Sequence, residues 1–137
     1  MFSILIADPF ADIGDGSAAD LLFSIMGTLE VTDSSGSWID QGFPVLEMAV
    51  HLASREGGPP GDHVFTSMLS EDGDFELSFR FEGGRWVVST PGGQVFHATD
   101  EEFQAAVRGF LESVDRVVLG FTNRSLNDVR DELARGS

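Results

Sequence analysis

Three histidines, 23 carboxylates and eight arginines are the side chains here that could do chemistry, and their spacing organises none of it. His51, His63 and His97 are scattered, no His-Glu-x-x-His occurs, and no His pair has metal-ligand spacing. Glu47 and His51 stand four residues apart on the polar side of an expected helix, the spacing of a surface pair. A calcium loop counted from Asp8 puts Ile13 and Ala19 where Gly and Glu are required. Counted from Asp72, the same positions fall on Leu77 and Gly83. Gly14-Asp-Gly16-Ser-Ala-Ala19 is a loose dinucleotide fingerprint. It begins seven residues after a strand, and Asp8, Asp12, Asp15 and Asp20 around it would repel a pyrophosphate. There is no G-x-S-x-G, Lys or Cys to serve as an activated nucleophile. A Ser/His/Asp set is available in composition but no spacing points to one, and with 23 acids a carboxylate pair is no signal for glycoside chemistry. No catalytic, cofactor-binding or metal-ligating residue is assigned, and a non-enzymatic chain without cofactor is expected.

Charge says more. The net charge is −15 over 137 residues, and the first 54 residues hold eight acids and no base. Such a field disfavours phosphate backbones and anionic lipid and favours a cation or a basic protein. The source organism offers a competing explanation. All the bases are Arg, and Gly, Ala and Asp are abundant, as in a GC-rich genome; a salt-adapted host also enriches surface acids. Length argues for one domain over residues 1–137, and 12 Phe with 2 Trp argue for a packed core rather than an acidic tail. Absence of Cys removes disulfides and thiolate sites and fits the cytosol. The start, Met1 to Asp8, has no basic segment before its apolar run, so no signal peptide is expected. No apolar stretch approaches the roughly 20 residues of a membrane span.

The hydrophobic pattern predicts the elements. Phe2 to Ala7 reads as a strand buried on both faces, followed by a loop from Asp8 to Asp20. Leu21 to Thr32 alternates, with Phe23, Ile25, Leu29 and Val31 on one face, and predicts one long strand ahead of a helix over Ser17 to Met26. Asp33-Ser-Ser-Gly36 is a turn, and Ser37 to Gln41 a short return strand. Pro44 starts a helix to Arg55, with Leu46, Ala49, Val50 and Ala53 inward and Glu47, His51, Ser54 and Arg55 outward. Gly57 to Gly61 ends it.

A meander follows: His63 to Leu69, Phe75 to Glu82, Arg85 to Thr90 and Gln94 to Ala98. Gly83-Gly84 makes a two-residue hairpin that sets Glu82 opposite Arg85. Thr99-x-x-Glu102 is a capping box opening a long helix through Phe103, Val107, Phe110, Val114, Val117 and Phe121, which Gly120 and Asn123 end. Ser125-x-x-Asp128 caps a short last helix. The class is α+β: a mainly antiparallel sheet of six to seven strands, two longer helices packed on one face and a short C-terminal helix.

The acids are then held at fixed places. Glu76 and Glu82 share the solvent side of one strand, and Glu30 takes the solvent face of another. Turn acids Asp33, Asp40, Glu71, Asp72 and Asp74 rim the sheet. Trp86 shares a face with Val88 and belongs to the core, whereas Trp38, beside a Ser/Gly turn, is a partly exposed anchor. These acids with Trp38 form the candidate partner-binding surface, set against the plainer reading of a solvated charged face.

Small, acidic, Cys-free α+β chains of this kind resemble the immunity proteins that neutralise bacterial polymorphic toxins. The resemblance is of type, carried by the acidic balance, the strand-rich plan and the helix from Thr99 to Phe121. It implies a cytoplasmic bacterial inhibitor binding one basic toxin enzyme, without direct nucleic-acid or membrane binding. A nucleic-acid mimic with carboxylates spaced like phosphates, a small-ligand or enzymatic domain with a hidden site, and an oligomeric structural module are the alternatives.

Overall fold

A computed structural model describes residues 1–68 and 76–136 of the chain. Its order is β1 (Ser3–Ala11), α1 (Ala18–Ser24), β2 (Ile25–Asp33), β3 (Gly36–Phe43), α2 (Val45–Ala53), β4 (His63–Phe65), β5 (Leu77–Glu82), β6 (Arg85–Ser89), β7 (Val95–Thr99), α3 (Asp100–Thr122) and α4 (Leu126–Arg135). The class is the expected one, but the strands divide into two antiparallel sheets, β1-β2-β3 and β4-β5-β6-β7. One hydrophobic core serves both.

Two N-terminal expectations fail. The alternation from Leu21 is not one strand. Ser17 accepts from Asp20 N at 3.2 Å and caps α1, which buries Ala18, Leu21 and Ser24 on one face. The helix period of three to four takes over, and Phe23 leaves the strand face; β2 starts at Ile25. β1 is an edge strand, not buried on both faces, and Leu5 is 55% exposed. Phe2, Ile4, Ile6 and Ala11 join the core. β1 also runs on to Ala11, with a break in register between Ala7 and Phe10. Asp8 sits there at φ 49°, and Pro9 passes over Gly27, where a Cβ would lie 3.2 Å from Ile6 Cγ2 and 3.6 Å from Pro9 Cα. Glycine at 27 is what allows the crossing.

The second half follows its pattern closely. Gly83 and Gly84 take φ of 59° and 79°, the hairpin turn that two left-handed positions require, and Glu82 pairs with Arg85. Leu77 and Phe79 are buried while Arg80 is exposed. The Thr99 box is present in full, and so is the second box at Ser125. Asn123 ends α3 in the left-handed conformation. The α3 stripe turns from Val114 to Val118 and leaves Phe121 exposed, because the 3.6-residue period carries Phe121 past the core edge. β4 is shorter than the predicted His63–Leu69 strand, and Leu69 to Phe75 lie outside the described residues.

Asp33 fastens one sheet to the other. Its Oδ2 accepts from His97 N at 3.0 Å in β7, and its Oδ1 accepts from Ser35 N and Ser35 Oγ at 2.7 and 2.6 Å. The residue is only 7% exposed. Asp33→Ala removes the charged acceptor of a part-buried backbone N–H, and a hydrogen bond to a charged group is worth about 1.5–3 kcal/mol. Urea unfolding should show that loss as a lower midpoint at unchanged slope.

Candidate functional site

The N-terminal sheet presents one uncovered face. Alternation along β2 buries Leu29 and Val31 and turns Thr28, Glu30 and Thr32 outward. Register then places Leu5 of β1 and Ile39 of β3 on either side of Glu30. Leu5, Ile39 and Phe10 are 55%, 58% and 50% exposed, so a row of apolar side chains stands in water around a carboxylate. Glu30 accepts from Thr32 Oγ1 at 3.2 Å, which fixes its side chain on this face. On the opposite side of β3 stand Trp38 and Asp40, both half-buried. Trp38 meets Phe43 edge-on, with ring centroids 6.3 Å apart. Partial burial of Asp40 pushes its carboxyl pKa above the ordinary value.

Glu30, Trp38 and Asp40 thus lie on neighbouring strands but not on one face: Glu30 shares its face with Leu5 and Ile39, and Trp38 and Asp40 stand on the other. The wider predicted surface is not brought together. Asp33 is an internal fastener rather than a contact residue. Burial alone would raise its pKa, yet the bonds from Ser35, His97 and Gly36 outweigh that and hold it below the usual carboxylate range. Glu82 lies at the far end of the second sheet, exposed and 3.3 Å from Arg80. Glu76 is half-buried just before β5, and its N–H bonds Phe65 O at 2.7 Å. Glu71, Asp72 and Asp74 lie outside the described residues.

The Asp-rich loop is no open cation site. Asp20 Oδ2 accepts from Gly14 N and Gly16 N at 2.9 and 3.0 Å, and Asp15 Oδ1 accepts from Ser17 N at 2.8 Å. No group of three or more His, Asp or Glu among the described residues converges to hold a metal.

The pattern along the chain missed one pairing. His51 on α2 and His63 on β4 meet with Nε2 and Nδ1 2.9 Å apart, one nitrogen donating and the other accepting. Phe79 stacks on His63 at 4.8 Å between ring centroids, and Phe65 lies 5.5 Å from His51. His51 is therefore not the outward residue its helix pattern predicts. Glu47 is not outward either. It is 8% exposed, and accepts from Ser67 Oγ at 2.6 Å and Met68 N at 2.8 Å. The chain returning across α2 covers both, and helical spacing alone carries no sign of that return.

Beside His63 is a cavity of about 90 Å³ whose lining includes Arg55, Glu56, Asp62, Trp86 and Phe103. Asp62 Oδ1 already accepts from Phe81 N at 2.8 Å, and the Trp86 indole N–H is held by Asp100 Oδ1 at 2.8 Å. The cavity's volume is well below the roughly 300 Å³ at which pockets for drug-sized ligands begin.

Among known proteins the chain matches no family model, no curated protein and no solved structure. No helix among the described residues is long and apolar enough to cross a membrane.

The histidine pair makes stability depend on pH. Burial, then the Arg55 charge, lowers the His51 pKa; burial, Arg55 and His51 together push His63 down to about 4 against the opposing pull of Asp62. The unfolded chain, with His near 6.5, binds the proton first, so the pair's contribution is full above pH 6.5 and is lost as pH falls toward 4. His63→Phe keeps the ring stack and removes the His63 titration, leaving that of His51. Wild type, read from urea midpoints, should lose stability relative to this variant as pH drops through that window. A difference independent of pH would refute the assignment.

Proposed function

We propose that this chain is a non-enzymatic acidic protein-binding module, an immunity- or antitoxin-type inhibitor of a basic toxin enzyme. The observation that carries the reading is the uncovered row Leu5–Glu30–Ile39 on a rigid sheet, in a stretch of chain with no basic residue. Apolar area left in water is the part of a surface that gains most from being covered. Carboxylates around it speed encounter with a positive partner and reject negative ones. A cytosolic site of action fits a chain without Cys.

The face suits a protein better than it suits mimicry of nucleic acid. A mimic needs an unbroken run of carboxylates, and here Glu30 is flanked by Leu5 and Ile39. The joined histidines favour a small-ligand site, but the volume beside them argues the other way.

Affinity purification from the native host, at about 50 and about 500 mM salt, tests the reading. One basic protein should be recovered in 1:1 ratio, and its association rate should fall roughly tenfold or more at the higher salt. Ile39→Thr, which keeps a β-branched side chain opposite Glu30 but removes apolar area, should weaken the complex with little change in the unfolding midpoint. Recovery of no specific partner at either salt would sink the proposal.

A further inference from the structure

We propose that β3 takes an added strand, an extended basic segment of the partner protein pairing with its free edge. This rests on the protein-binding reading above and says how the partner is held.

The two open sheets have four edges: β1, β3, β4 and β7. An unguarded edge strand offers a row of backbone donors and acceptors to any extended chain, so folded proteins blunt such edges. Three of the four are blunted here. β1 breaks at Asp8–Pro9, where the register shifts and a backbone donor is missing, and α3 packs against it. β4 has three residues. At β7 the Asp33 carboxylate occupies the His97 N–H. β3 differs: it runs for eight residues, contains no Pro, Lys or Arg, and among the described residues pairs with β2 alone. Its one irregularity, opposite Gly27 and Leu29, lies at the Gly42 end, leaving Gly36 to Asp40 in continuous register with β2.

The side chains specify the occupant. An added strand sets its residues about 4.5–5.5 Å from those of β3, alternating between faces. On one face it would meet Trp38 and Asp40, and on the other Ile39 beside Glu30. A basic residue opposite Asp40 and apolar residues opposite Trp38 and Ile39 complete that pattern. Asp40 is half-buried, and a cation alongside it would offset the desolvation of its carboxylate. A second copy of the chain fits poorly, because each copy brings a net charge of −15 and no base before Arg55.

The test titrates the isotope-labelled full chain with two synthetic octapeptides of equal charge, alternating Lys–Val and the same Lys–Val sequence with every backbone amide nitrogen methylated, followed by backbone amide shifts and hydrogen exchange. The methylated peptide carries the charge but has no backbone donor with which to form a ladder. Lys–Val should bind at least about tenfold more tightly and slow exchange along Gly36–Phe43. Asp40→Lys should remove the binding, and the milder Asp40→Asn should weaken it if the first variant folds poorly. Equal binding of the two peptides overturns the added strand while leaving the acidic-module reading intact. So does protection located away from β3, or no binding by either peptide. A dimer with protected β3 amides in the absence of peptide would put a second copy on the edge and overturn the basic occupant.

Discussion

The ring of Phe103 is the contact on which the architecture turns. It stands in the first turns of α3 and stacks on Trp86 of β6 at 4.2 Å and on Phe2, just before β1, at 6.1 Å, while Phe79 of β5 meets it edge-on at 5.9 Å. One side chain thus meets aromatic rings of the second sheet and of the residue that leads into the first. Among the described residues the two sheets share no ladder, so they are joined by side-chain contacts and by what packs on both, and α3 packs on both. The capping box at Thr99 follows β7 without a linker and fixes where α3 begins, which in turn fixes where Phe103 sits. Asp33, bonding His97 at the sheet junction, is the polar counterpart of that apolar joint.

The carboxylates divide into two populations. Many close the backbone: Asp20 in the first loop, Asp33 at the sheet junction, Glu47 under the chain after β4, Glu102 and Asp128 in capping boxes, and Asp115 on Leu126 N. An ionised oxygen is a strong acceptor for an unpaired N–H, so an acidic chain can finish its helix starts and turns with Asp and Glu. Backbone bonds hold Asp15, Glu102 and Asp128 below the ordinary carboxylate range, and at Asp33 the bonds from Ser35 and His97 overcome the opposing effect of burial. Glu30 and Asp40 belong to the other population. They stand on a sheet face and at a sheet edge, and are part of the charge that closes no backbone group among the hydrogen bonds described.

The two halves of the chain were unequally legible. From Phe79 onward nearly every element could be placed, because strict alternation, a Gly-Gly hairpin and two capping boxes are local signals that agree with one another. In the first half, Leu21 to Thr32 carried two periods at once. Ile25, Leu29 and Val31 alternate as a strand should, but Ser17, Asp20 and Leu21 also fit a short capped helix, and tertiary packing chose to cut the segment between them. The candidate surface was read in part. Glu30, Trp38 and Asp40 were recognised as outward or half-exposed residues, but Leu5 was hidden by the expectation of a fully buried strand.

What the sequence determined by itself was the class, the meander, the caps and the negative field, since each depends on residues near one another in the chain. Tertiary structure alone decided the split into two sheets, the inward turn of Glu47 and His51, and the meeting of His51 with His63. Each of these depends on which segment returns to cover which face, a contact between residues distant in sequence that no local period encodes. The exposure of Leu5 and Ile39 on β1-β2-β3, and the edge of β3 that is unpaired among the described residues, are of the same kind: they depend on which elements pack where.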